Sequence, residues 1–521
     1  MLKLVFNWAT PSLNITFNNE RPKAALDFMS IQPKLIRLTL AGSLVLCGAA
    51  LLGCGTPTES VTPTTSGSGG ESASAYDFPS AFVPNESSVA HEGQTLRHVL
   101  VADLIATVEG LTARLDGDTY NPTSVTDTVA LLEHYYAFDS QTGGTGKPQL
   151  ATTPAALQAT YDAIATGKTL KEKLAGNDAS TDHKDWTTAF TGWKDPSIAV
   201  DGGSTTSPEG LLYAYFGTLG KLALDRENGV IPLEPGTTSP LAFVHVTATG
   251  LDLHELIEKH LELAIGYSQG TDDYLDDDVA DKGLRSPNTQ DGTKPYTLLA
   301  HGWDEAFGYF GAARDYAAYT DDELAASGGR ADWQGFHDSN ADGAIDLTRE
   351  FNFSLAVTGA KRDRASAEPT DFTGDAFAAA LAGRALIQSA GATLSATELA
   401  TLTGHRDAWV TAWERALAAT VIHELNEIIL ITGAIGTPTY DFYAHAGEWS
   451  ELKGYALGLQ YNPKKKLTDA EFASLHDLLG DKPVLATATV AERSAYVKAL
   501  LTARELLQTA YGFSAANVEA W

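Results

Sequence analysis

Cysteine is nearly absent: the 521-residue chain has two, Cys47 and Cys54, too few for a disulfide framework. Methionine is as scarce, with only Met1 and Met29. Positive charge is also short, 36 Lys plus Arg against 66 Asp plus Glu, for a formal net charge of −30. This excludes nucleic acid as the main partner, because phosphate recognition needs clustered positive charge. Cations and polar small molecules suit such a field better. Wholesale disorder is excluded as well, since 44% hydrophobic and 20% charged residues describe an ordinary globular chain.

What is present begins with an address. Met29 is followed by Lys34 and Arg37, then by sixteen uncharged residues, Leu38 to Gly53, and then Cys54. A positive start, an apolar stretch and a small residue before the cut make a signal peptide. Sixteen residues are short for a bilayer that needs roughly 20. Leu51-Leu52-Gly53-Cys54 resembles a bacterial lipobox, whose Cys thiol becomes diacylglyceryl-modified at the new N-terminus. Residues 1–53 are therefore expected to be removed, with the working start at Met29, and Cys54 to be lipidated. Gly55 is not the Asp that retains lipoproteins at the inner membrane, so the expected location is the outer membrane of a Gram-negative cell. Residues 54–75, rich in Thr, Ser, Gly and Pro, read as a flexible tether.

From Tyr76 the pattern is helical. Leu96, Leu100, Leu104, Val108, Leu111 and Leu115 form an apolar stripe at helical spacing. Similar stretches lie near 125–136, 155–174, 207–224, 251–265, 298–316, 347–362, 372–390, 405–432, 447–458 and 489–511. Leu241–Val246 is the best strand candidate. The expectation is an all-α domain over 76–521, in two bundles of approximately 76–330 and 345–521. One internal echo supports a duplication. Trp303-Asp-Glu305-Ala-Phe-Gly308-Tyr309 and Trp449-Ser-Glu451-Leu-Lys-Gly454-Tyr455 share Trp-x-Glu-x-x-Gly-Tyr.

Several segments could carry chemistry. His301, Asp304 and Glu305 fall at i, i+3 and i+4, and His445, Glu448 and Glu451 repeat the pattern beside the second echo. Imidazole and carboxylate in that arrangement can hold zinc or iron, and buried His and Glu can equally satisfy a helical core. His423 and Glu427 are another i, i+4 pair, but they do not make His-Glu-x-x-His, so the thermolysin-type zinc pattern is missing. The packing reading is preferred there. Asp338, Asn340, Asp342 and Asp346 stand at positions 1, 3, 5 and 9 of a calcium loop, with Gly343 at 6 and the Ala344 carbonyl at 7. The closing Glu350 comes one residue late, and Arg349 holds position 12.

Other matches lack their structural context. Gly266-Tyr-Ser268-Gln-Gly270 spells a nucleophile elbow, yet a helix rather than a strand precedes it, so a helix-terminal glycine cap is expected. Gly143–Lys147 is followed by Pro148 where a phosphate loop needs Ser or Thr. The run Asp272–Asp278 reads as a solvated loop.

His301-Gly-Trp-Asp-Glu-Ala-Phe-Gly-Tyr-Phe310 resembles a bacterial lipoprotein family known as domain of unknown function 4856, with Gly302 inserted between His and Trp. Ala360-Lys-Arg-Asp363, the Trp413…His423 helix and the segment Glu448–Pro463 extend the likeness over most of 76–521. That family is akin to the imelysins, helical surface proteins associated with iron uptake. The resemblance implies an imelysin-like pair of helical bundles. The imelysin Gly-x-His-x-x-Glu signature is absent, because Leu299 and Tyr443 stand where its glycine belongs.

The resulting expectation is a lipid-anchored, all-helical surface protein that binds a metal or metal-containing ligand without catalysis. Its calcium candidates are Asp338, Asn340, Asp342, Ala344, Asp346 and Glu350. Its second-site candidates, for iron or zinc, are His301, Asp304, Glu305, His445, Glu448 and Glu451. The alternatives are a metal-dependent hydrolase, which needs three convergent ligands in a confined pocket, and a scaffold that docks a transport protein.

Overall fold

The computed structural model describes residues 74–138, 146–200 and 202–521. The expected signal peptide, Cys54 and nearly all of the expected tether lie outside the described residues, as does most of the 143–147 glycine run. The fold is all-α: fifteen α-helices form, and no strand or sheet exists among the described residues. Of the expected strand Leu241–Val246, only Val246 takes part in an isolated bridge, to Asp252.

Eleven helices are long enough to organise the core. They are α1 (Glu92–Glu109), α2 (Val125–Tyr136), α3 (Pro208–Glu227), α4 (Leu253–Leu261), α5 (Leu298–Phe310), α6 (Ser354–Ala365), α7 (Phe372–Ser389), α8 (Ala396–Ala434), α9 (Phe442–Gly458), α10 (Asp469–Leu479) and α11 (Val490–Tyr511). Their starts follow local chemistry. Thr297 caps α5 by accepting from the Ala300 N–H at 3.0 Å, and Asp441 caps α9 by accepting from Tyr443 and Ala444. Ser395/Glu398, Thr468/Glu471 and Thr489/Glu492 are reciprocal capping boxes for α8, α10 and α11. Gly311, at φ +82°, ends α5 in the left-handed conformation that favours glycine.

The 39-residue α8, roughly 58 Å long at 1.5 Å per residue, is the axis of the molecule. Helices α6, α7, α9 and α11 pack around it. It is long and apolar enough to cross a membrane, but most of that apolar window is buried against its neighbours. One hydrophobic core runs from Tyr76 to Trp521. It joins the two expected halves directly, with Trp303 of α5 5.4 Å from Trp409 of α8 between ring centroids. The stripe from Leu96 to Leu115 is fully inside, each side chain worth roughly 1.5–3 kcal/mol.

Two segments differ from the expectation. The helix expected over 155–174 is reduced to Tyr161–Ile164 and a single 3-10 turn at 171–173. Pro154 and Gly167 break the chain, while Tyr161, Ile164, Leu170 and Leu174 still reach the core as separate plugs. Beyond Leu261, conversely, the helix does not stop. It widens into two consecutive π segments, Glu262–Tyr267 and Gln269–Tyr274. Gly266 and Gly270 are therefore no caps; a Cβ on either would lie 2.9 Å from Leu355 or Trp413. Ser268 is fully buried, so no nucleophile is presented. Asp272 of the acidic run is buried too, facing His183 Nδ1 at 2.7 Å, and Asp273 is half-buried.

Candidate functional site

The extended helix 253–274 organises the site. Glu255, Glu258, Lys259 and Glu262 recur at three- and four-residue spacing, so all four lie on one face. Helix α9 crosses this face closely because it offers glycine: a Cβ at Gly454 would stand 2.6 Å from the Lys259 Cβ, and one at Gly458 2.3 Å from Leu263. That contact brings Glu448 and Glu451 to the cluster. Helix α8 supplies Glu424 and Glu427, and α6 supplies exposed Lys361 and buried Arg362. Glu424, Glu448 and Glu451 each present a carboxylate oxygen within 4.8 Å of the others.

Lys259 is the internal counter-ion. Its Nζ lies 3.1 Å from Glu451 and 3.4 Å from Glu255, and it also bonds Glu258. Burial works against its charge, but Glu258, Tyr455, Glu451 and Glu255 outweigh burial and hold the ammonium firmly protonated. His254 behaves likewise: burial opposes its charge, but the bond to Glu255 and nearby acids hold it at about 9. Four cations, Lys259, Lys361, Arg362 and His254, thus face seven glutamates.

The deficit is visible in the carboxyls. Burial, then Glu451 and Glu448, push Glu424 well above the usual range. Burial raises Glu448 as well, and the two carboxyls sit within hydrogen-bond reach of each other. Burial also raises Glu262, whose Oε1 accepts from the Ser354 hydroxyl while its Oε2 is buried without a partner. Glu424 is 3% exposed and its Oε2 has no partner. An unmatched buried carboxylate costs several kcal/mol, so this face either keeps protons or takes a cation.

The residues singled out from the sequence fall in separate places. Glu448 and Glu451 belong to the cluster. His445, one turn earlier on α9, is buried against Tyr440, whose hydroxyl is 3.3 Å from Nδ1; burial lowers it to about 4. At the other echo, Asp304 is wholly buried and committed to Arg384 Nε at 2.7 Å and the Tyr76 hydroxyl at 2.8 Å. Glu305 accepts from Gln94 Nε2 at 2.9 Å, with His301 Nε2 3.8 Å away, and His301 stacks on Tyr296. The two triplets therefore have different neighbours. Asp304 turns into the core while Glu305 faces α1.

The 338–350 loop folds in on itself. The Gly343 N–H donates to Asp338 at 2.8 Å, the Asp342 N–H to Asn340 at 2.8 Å, and the Ala344 N–H to Asp342 at 3.0 Å. Gly343 sits at φ +87°. Ile345 is buried and pairs with Ala156, as the eighth residue of such a loop pairs with a neighbouring strand. Glu350 is buried and accepts from the backbone of Ser339 at 2.9 Å and of Asp346 at 2.8 Å, closing the loop from inside. Asp346 accepts from Gln158 at 2.8 Å and from Thr348.

Sequence reasoning passed over Lys259, Arg362, Glu255, Glu258 and Glu262. A signal existed: charged residues at 255, 258, 259 and 262 form a polar stripe on a helix whose other side chains, Leu253, Leu256, Ile257 and Leu261, are buried. Glu424 falls inside the 423–427 segment, where packing is the preferred reading; its burial agrees with that and its free oxygen does not.

No curated protein and no solved structure matches the chain. Residues 228–336, which carry Glu255, Glu258, Lys259, Glu262 and the first echo, match the model of the family described as Domain of unknown function (DUF4856).

Proposed function

We propose that the protein binds a hard metal cation at Glu424, Glu448 and Glu451, and presents this site from a lipid anchor at Cys54 on the outer membrane. The observation that carries the reading is the convergence of these three carboxylates within 4.8 Å, with the buried Glu424 Oε2 unpartnered. An oxygen-only donor set suits manganese, magnesium, calcium or ferric iron better than zinc. The three ligands meet one requirement of the hydrolase alternative. Yet three carboxylates more than neutralise a divalent charge, whereas catalytic zinc keeps mostly neutral imidazoles and so acidifies its water. Binding is the better reading.

Metal analysis of protein purified without added metal, followed by Mn2+ titration, tests it. One equivalent should bind, and Glu424→Gln with Glu448→Gln should weaken it at least about tenfold. No binding by the parent, or undiminished binding by the double variant, refutes the site.

The 338–350 loop is proposed separately as a weak calcium site, because hydrogen bonds already join Asp338, Asn340 and Asp342 in one turn around Gly343. Glu350 is occupied by backbone amides, which limits affinity. Millimolar calcium should raise Tm in the parent and not in Asp338→Ala plus Asp342→Ala; an unresponsive parent rejects the loop.

A further inference from the structure

Arg362 is the odd member of the cluster. The residue is 6% exposed, and its Nε and Nη1 are both buried without a hydrogen-bond partner. Glu424, Glu451 and Glu427 are near enough to act on its charge, yet no carboxylate oxygen of the described residues comes within ion-pair distance. A buried guanidinium beside carboxylates normally closes onto them with two parallel bonds. Here it does not. The Arg362 carbonyl accepts from Trp521 Nε1 at 3.1 Å, which anchors the end of α6. One turn earlier, Gly359 packs against Thr373 of α7. The free guanidinium edge of Arg362 and the free Oε2 of Glu424 thus belong to one buried cluster without pairing.

Such an unpaired arrangement fits a ligand that is positive towards the glutamates and negative towards the arginine. We propose that the cation at Glu424, Glu448 and Glu451 is bound together with a small oxyanion, a carbonate or a carboxylate, held by Arg362 and completing the metal's coordination. The inference rests on the cation reading above. The Nε/Nη2 edge of a guanidinium matches two oxygens of a planar anion, as Arg330 grips Glu323 elsewhere in the chain, and the third oxygen, or a shared one, is free to face the metal. Such an anion also gives the buried Nε the partner it lacks. Lys361, the exposed neighbour on α6, places further positive charge at the rim, where Glu448 and Glu451 feel it.

The test is calorimetric titration of the full chain with Mn2+ in carbonate-free chloride buffer, then with millimolar bicarbonate, then with millimolar acetate. The parent should bind Mn2+ about tenfold more tightly with one or both oxyanions, and the anion that does so identifies the source. Arg362→Gln should bind Mn2+ in chloride at least as tightly as the parent and gain nothing from either anion. Arg362→Lys, which keeps the charge and loses the planar edge, should lose most of the gain, and it carries the test if Arg362→Gln does not fold. Equal parent affinity in all three buffers overturns the anion, as does an undiminished gain in either Arg362 variant. Absence of Mn2+ binding in every buffer overturns the cation site itself, which distinguishes the two failures.

Discussion

The two Trp-x-Glu-x-x-Gly-Tyr segments use one packing device and arrive at different chemistry. In each, the Trp is fully buried, its Nε1 donating to the Ala380 carbonyl at 2.9 Å or to the Tyr496 hydroxyl at 2.8 Å. In each, the Gly admits a neighbouring helix: a Cβ at Gly308 would lie 2.6 Å from the His91 Cβ and 2.8 Å from that of Gln94, and one at Gly454 2.6 Å from the Lys259 Cβ. The admitted helix then supplies the partner of the motif's own Glu, Gln94 for Glu305 and Lys259 for Glu451. The motif specifies close approach; the visiting helix decides the charge. A neutral amide leaves a quiet structural bond at one end of helix 253–274. A lysine with three further glutamates makes a charged cluster at the other.

If packing is the shared part, removing either Trp should cost the same. Trp303→Ala and Trp449→Ala are each expected to lose about 3–5 kcal/mol in urea unfolding. A loss under about 1 kcal/mol at one position would break the equivalence. The polar partners should then separate the two ends. Lys259→Met strands Glu255, Glu258 and Glu451 and should cost about 3 kcal/mol, because breaking a buried pair leaves unmatched charge. Gln94→Leu removes one neutral donor and should cost about 1 kcal/mol. Equal losses would mean that Lys259 acts only by its packing.

The glycines sharpen the comparison within each segment. Gly308→Ala and Gly454→Ala should each cost about 1–3 kcal/mol, since the added methyl overlaps a neighbouring helix. Gly302 and Gly447, on the same helices just before each Trp, have nothing within 4 Å of a built Cβ. Alanine there should stabilise by about 0.5–1 kcal/mol through helix propensity alone. Thermal unfolding of the four variants gives the pattern, and a stabilising Gly308→Ala would remove the close-approach argument.

Much of this was legible in the sequence because packing repeats. The apolar stripe of α1, the capping signals and the echoed Trp and Gly report periodicity and sterics, which a linear pattern preserves. The cluster was not legible, because its glutamates come from helices as far apart in sequence as Glu255 and Glu451. Adjacency between helices is set by Gly454 and Gly458, whose consequence depends on what lies opposite. The π segments were missed for a related reason. Gly266, Gly270 and the acids from Asp272 onward look like a helix end, and only burial against Leu355 and Trp413 keeps the chain coiled.

The smallest expected effect concerns the quiet end. Asp273 lies in the last turn of the second π segment near Glu305, and burial, with Asp178 and Glu305 adding to it, pushes its carboxyl up to about 7 despite Lys173 3.9 Å away. An unfolded aspartate titrates near 3.9. Between roughly pH 4 and 7 the folded chain therefore holds a proton that the unfolded chain has lost, so stability falls as pH rises through that window. Asp273→Asn removes this dependence. The variant should match the parent near pH 4 and exceed it above pH 7 by roughly 1 kcal/mol, a modest gain because the group is partly solvated. Urea unfolding at the two pH values reads the difference. If the gain is the same at both, Asp273 is already ionised in the folded chain. The quiet end would then carry uncompensated charge like its counterpart, and the contrast between the ends would narrow to Lys259 alone.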